Sequence, residues 1–156
     1  MLDKLNGCKQ TVLSLLYSSA AFTEFLLGAG YQDKGYHVTE ELKKYIHPFL
    51  FAEDAPFSQQ ANVFVETSIG KTNRTTADMD ITVQILSPRA LLTYDQAGQT
   101  ATVPDQGVKL LWDVLADSET NAYLFGIGPL SFQSAEILNA KGFYGRELKF
   151  TVPHFR

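Results

Sequence analysis

Two stretches decide the fold. They are Asn62-Val63-Phe64-Val65-Glu66-Thr67-Ser68-Ile69 and the run Met79-Asp80-Ile81-Thr82-Val83-Gln84-Ile85. The first is rich in β-branched and aromatic residues. In the second, apolar and polar residues alternate with a period of two, which places one strand face in a core and the other in water. Between them lies Gly70-Lys71-Thr72-Asn73-Arg74-Thr75-Thr76, polar and turn-rich. A long antiparallel hairpin with its tip in solvent follows from this pattern.

Working outward, the period is helical on the N-terminal side. Leu5, Cys8, Val12, Leu15 and Leu16 recur at spacings of three and four between Lys4 and Gly28. Ser19 is placed to cap a second short helix from Ala20 to Leu27, which Gly28-Ala29-Gly30 ends. Another helical piece is predicted from Thr39, with Glu40 and Glu41 complementing its dipole, running through Ile46 and stopping by His47 ahead of Pro48. On the C-terminal side, Pro88 closes the second strand and a loop containing Gly98 and Pro104 follows. Asp105 is expected to cap a helix from Gln106 to about Ala116, with Val108, Leu111, Trp112 and Leu115 on its apolar stripe. A last hairpin is predicted from Leu130–Ile137 and Phe143–Val152, turning at Lys141-Gly142. In its second strand Tyr144, Leu148, Phe150 and Val152 share one face, and Glu147, Lys149 and Thr151 the other. The fold class is therefore α+β: a largely antiparallel sheet with two long hairpins, packed against N-terminal and central helices. One domain over residues 1–156 is expected, mainly helical in 1–48 and sheet plus one helix in 61–156.

Composition bounds the function. The chain has 156 residues, 45% of them apolar, and a net charge of −4. That is enough apolar material for a core, and the acidic balance argues against sequence-specific nucleic-acid binding. No apolar stretch is long enough to span a bilayer, and no secretory signal is visible, so no membrane partner is expected. The single cysteine, Cys8, excludes a disulfide framework and fits a reducing cytosol.

Several motifs invite chemistry and have a plainer reading. Gly70-Lys71-Thr72 has the ending of a phosphate-binding loop, but the glycine required five residues earlier is Val65, and a strand-to-helix junction is required. Glu147 and Lys149, with Asp78 or Asp80, resemble the carboxylate–lysine grouping of metal-dependent nucleases; an acid–base pair on a wet strand is as well explained as a surface pair. His37, His47 and His154 lack metal-ligand spacing. Cys8 and Trp112 read as core residues. Asn73-Arg74-Thr75 is a glycosylation sequon without a secretory route. Neither a cofactor nor a metal site is expected, and no enzyme. Charge is segregated: residues 77–136 hold eight acids and two bases, a net of −6. Such a segment reads as a solvated face or as one face of a directional assembly.

The order of pieces carries a resemblance. "KKYIHPFLF" (43–51) precedes "ANVFVETSIG" (61–70), a polar tip and "DMDITVQIL" (78–86); then come "GVKLLWDVL" (107–115), "GIGPLSF" (126–132) and "GFYGRELKFTV" (142–152). Over about Leu2 to Phe155 this resembles the small tail-terminator and tail-completion (head-to-tail joining) proteins of long-tailed bacteriophages and their prophage-derived relatives. The stretch Gly28–Tyr36 and the loop Ser87–Pro104 depart from that pattern. The resemblance implies a non-enzymatic structural protein of the virion tail or neck, made in the bacterial cytoplasm. It implies a homo-oligomeric ring, such as a hexamer, with tail-tube and head-completion proteins as partners. On that reading Lys71, Thr72, Asn73, Arg74 and Thr75 form a docking arm that orders on contact, and Asp78 and Asp80 face a lumen. The alternatives are a small metal-dependent nuclease or hydrolase and a monomeric protein-binding adaptor.

Overall fold

The computed structural model describes residues 2–52, 60–89, 93–96, 99–116, 121, 123–140 and 142–155. It is an α+β structure. Helices α1 (Leu2–Ser18), α2 (Ala20–Leu27) and α3 (Val38–Leu42) precede strands β1 (Ile46–His47), β2 (Asn62–Thr72) and β3 (Thr76–Pro88). A small hairpin, β4 (Thr93–Gln96) and β5 (Gln99–Thr102), leads into α4 (Val103–Leu115), and β6 (Ser131–Ala140) and β7 (Phe143–Phe155) complete the fold. The main sheet has the order β1-β2-β3-β7-β6, with β1 parallel to β2 and every other pair antiparallel.

The helix boundaries follow from local chemistry. Ser19 accepts a hydrogen bond from the Phe22 amide at 3.2 Å, supplying a partner for an orphan N–H of the first turn of α2. Gly28, at φ +89°, closes that helix with its N–H on the Glu24 carbonyl. The buried stripe of α1 is Cys8, Val12, Leu13 and Leu16; Leu5 and Leu15 pack only partly buried against the core, and Leu13 was absent from the expected stripe. The third helix is shorter than the sequence predicts. It begins at Val38 and ends at Leu42, because Ile46 is drawn into the sheet opposite Val63 and is 1% exposed. The Val63 amide donates to the Tyr45 carbonyl at 2.7 Å, so the end of the expected helix becomes a strand edge.

Two expectations around α4 are corrected. The region assigned to a loop contains the β4–β5 hairpin. The cap of α4 is Thr102 and not Asp105: the Thr102 hydroxyl accepts from the Asp105 amide, and Pro104 sits in the first turn, where its missing N–H leaves no bond unmade. Gly107 faces the sheet, and a β-carbon there would lie 2.8 Å from Ile85 Cδ1, so glycine lets α4 approach closely.

One core joins the layers. Val12, Leu16, Phe22, Leu111 and Leu115 from the helices meet Val65, Ile81, Val83, Leu148 and Phe150 from one sheet face, all essentially excluded from water. Each such side chain contributes about 1.5–3 kcal/mol, far more than an exposed ion pair, so this packing sets the stability. The predicted face of β7 is confirmed, with Leu148, Phe150 and Val152 buried and Tyr144 half-buried. Trp112 departs from its expected place in the core: it is 44% exposed and stands edge-on to Phe132 at 5.1 Å.

Candidate functional site

The helix-free face of the sheet is divided in two. At one end the chain after β1 folds over it. The Phe51 amide donates to the Gln84 side-chain oxygen at 2.9 Å, and Gln84 donates in turn to Glu147 at 2.7 Å. Phe51 packs on Phe64 and Phe143 at centroid distances of 5.7 and 5.6 Å, and His47 stacks on Phe64 at 4.9 Å. These contacts bury Phe64 although it points away from the helices. The other end stays open and polar.

That open end is a groove of about 470 Å³, to which Ser68, Gly70, Asp78, Asp80, Lys149 and Thr151 contribute. The register assembles it. Asp80 lies between Ser68 and Thr151, and Thr82 between Glu66 and Lys149. Asp78 and Asp80, two residues apart on one strand, therefore project to the same side. The Asp80 carboxylate lies over Gly70, where a β-carbon would come within 2.5 Å of its oxygen. Among the described residues neither aspartate has an ion-pair partner. The buried Thr151 hydroxyl, which also lines the groove, has no hydrogen-bond partner among the described residues.

The hairpin arm is longer than the sequence implies. Ladder pairing continues through Thr72↔Ala77, past an irregularity after Ile69, so the turn is confined to Asn73-Arg74-Thr75. Asn73 Oδ1 accepts from the Thr75 and Thr76 amides at 2.9 and 2.8 Å. These bonds form an Asx turn at the tip of the arm. Of the expected docking residues, Lys71, Thr72, Arg74 and Thr75 are exposed, whereas the Asn73 side chain builds the turn. Lys71 also lines the groove, which joins the arm to the two aspartates in one surface.

The carboxylate–lysine grouping is only partly assembled. Glu147 meets Lys149 at 3.5 Å but is engaged by Gln84 on its other oxygen. It is level with Gln84, two rows along β3 from Asp80. Among the described residues no three His, Cys, Asp or Glu side chains gather as a metal site would require. The histidines remain apart. His47 bonds Asn62 and stacks on Phe64, while burial pulls His154 below the usual imidazole value despite its bond to the Phe125 backbone. Burial pushes the Cys8 thiol up to about 11, so it stays protonated and inert at neutral pH.

The acidic segment does not form a single face. Asp78 and Asp80 lie on the open sheet face, whereas Asp105 is on the helix side, paired with Arg146 at 2.9 Å. Burial alone would raise the Asp105 carboxyl, but hydrogen bonds from Thr102 and Arg146 and the guanidinium charge hold it below its ordinary value. Asp113 is exposed on α4 and Glu136 on β6; Asp117 and Glu119 lie outside the described residues.

With this geometry in place, comparison by family decides the kinship. The YomW profile matches residues 10–152, from the middle of α1 to Val152 in β7. The chain belongs to the YomW family. The name is of phage or prophage origin and specifies no activity. The matched span contains the whole groove, the arm and both sheet edges of this YomW chain. No curated protein matches the sequence. Among the described residues no helix is long and apolar enough to cross a membrane.

Proposed function

We propose that this YomW-family chain is a structural, non-enzymatic component of a phage tail or neck. In this reading it forms a ring, of hexameric order, that caps the tail tube and joins it to the head. It is made in the bacterial cytoplasm and ends in the virion. The observation that carries this reading is the continuous surface formed by the projecting arm and the groove, in a family of phage origin. Lys71, Thr72, Arg74 and Thr75 stand out on a projecting hairpin whose tip is closed by the Asn73 turn, which suits a docking element. Asp78 and Asp80 supply unpaired negative charge on a broad sheet face, which suits a lumen that DNA crosses without adhering. Tail-tube and head-completion proteins are the partners for the two ends of the ring.

Light scattering on the purified chain, alone and with added tail-tube protein, tests the proposal. A discrete ring in either condition is the expected result. A monomer in both, with a thermal shift on adding divalent metal that Glu147→Ala abolishes, would overturn it in favour of a hydrolase. A monomer that binds one dedicated protein partner would instead make it an adaptor.

A further inference from the structure

Among the described residues the main sheet leaves two edges open, and they are complementary. Strand β6 pairs with β7 on one side and with nothing on the other among the described residues. It is ten residues long and contains no proline or lysine, the usual devices against edge pairing. Its helix-side flank is apolar: Phe132 and Trp112 are each 44% exposed, and Ile137 is 57% exposed. At the far side of the sheet β1 covers Val63 and Phe64, Lys9 of α1 pairs with Glu66 and the Glu66 carboxylate accepts from the Thr67 amide, so among the described residues β2 is an open edge from Ser68 to Thr72. Ile69 is exposed on that edge, and the first turns of α1, with Leu2 exposed, lie near it through the Thr67 hydroxyl bond to the Leu5 carbonyl.

Charge distinguishes the two edges. Glu136 of β6 is opposite Glu147 of β7, an unfavourable like-charge pair across a ladder, and Lys149 is already bound to Glu147. Glu136 is thus an exposed acid on the helix-free face of this edge, while on the helix face Asp113 is exposed with Lys109 one turn back. The β2 end presents Lys71 and Arg74, which have no ion pair among the described residues. Strand direction agrees as well. Along β2, β3, β7 and β6 the direction alternates at every step, so the next strand in sequence must run as β2 does.

We infer that a second copy of this chain occupies the β6 edge, pairing the outer half of its own β2 antiparallel to β6. The sheet then continues from subunit to subunit with all helices on one side. Ile137, Phe132 and Trp112 meet the exposed Ile69 flank, and Glu136 gains the cations of the neighbouring arm. Such a contact is heterologous, so repetition closes a ring or extends a filament. The inference rests on the self-association in the proposed function and specifies its interface.

The test uses Ile137→Lys and Ile69→Lys, both at exposed positions, with circular dichroism to verify folding. Light scattering across a concentration series reads the mass of the wild type, of each variant and of their equimolar mixture. Wild type should assemble, each variant alone should be monomeric, and the mixture should double in mass, because one intact β6 edge then meets one intact β2 edge. If Ile137→Lys is monomeric while Ile69→Lys assembles like wild type, β6 pairs with itself and the inference is wrong. If both variants assemble like wild type, the edges are unused, while the ring reading stands. Wild type that stays monomeric at every concentration, with or without tube protein, overturns both.

Discussion

Gly145 shows how a single position fixes a sheet. It lies opposite Leu86, and a β-carbon there would come 1.7 Å from the Ile85 carbonyl oxygen, a backbone atom that cannot swing aside. Gly145→Ala should therefore destabilise by about 3 kcal/mol, the upper part of the overpacking range, read as a lower midpoint in urea. Gly7, exposed in α1 with nothing near its β position, predicts the opposite. Gly7→Ala should stabilise by about 0.5–1 kcal/mol through helix propensity alone. His154 carries a pH prediction. Burial and the nearby Lys4 charge disfavour its protonated form, so the folded chain binds fewer protons there than the unfolded one. Stability should then fall as pH drops through the ordinary imidazole value of about 6.5. Replacing His154 with Gln should flatten that part of a stability-versus-pH curve; an unchanged slope would place the titration elsewhere.

At the scale of elements, the α4 terminus separates local from tertiary control. Thr102 and Asp105 both precede apolar periodicity, and either is an acceptable cap by residue type. The structure selects Thr102, leaving Asp105 to meet Arg146 across 41 residues. Thr102→Ala should cost about 1 kcal/mol, measured by thermal denaturation, and more than Asp105→Ala, whose ion pair is half-exposed. The same contrast explains what sequence reasoning could reach. Period-two alternation in Met79–Ile85 and the Ser19 cap are local signals, and both elements stand where they predict. The conversion of Ile46–His47 into β1 depends on Val63, a partner 17 residues away that helical spacing cannot foresee. Trp112 fits an apolar stripe by spacing, yet its position at the sheet edge leaves it half in water. The β4–β5 hairpin was hidden because Thr93–Gln96 and Gln99–Thr102 lack an apolar alternation.

For the whole molecule, the decisive feature is the asymmetry between the two sheet faces. One is filled by side chains of helices α1 to α4; the other is half covered by the Phe51–Gln84–Glu147 chain of contacts and half open. Sequence placed Asp78 and Asp80 on a wet face, but only the three-strand register shows them in a groove with Lys71 and Lys149. Their lack of ion pairs among the described residues separates stability from function in a useful way. The Asp78→Asn, Asp80→Asn double variant removes two like charges and no ion pair among those residues, so its melting temperature should move little, within about 0.5 kcal/mol of stability. The ring mass should also be unchanged, because neither residue lies on the β6 edge or the open half of β2. What should change is the behaviour of duplex DNA. Wild-type rings should show no retention of DNA, whereas the neutralised rings should retain it, the more strongly at low salt, where phosphate contacts dominate. Filter retention over a salt series on assembled rings measures this directly. Equal, negligible retention by both proteins would remove the lumen role of the two aspartates, and leave the groove, with its arm, as a surface for protein alone.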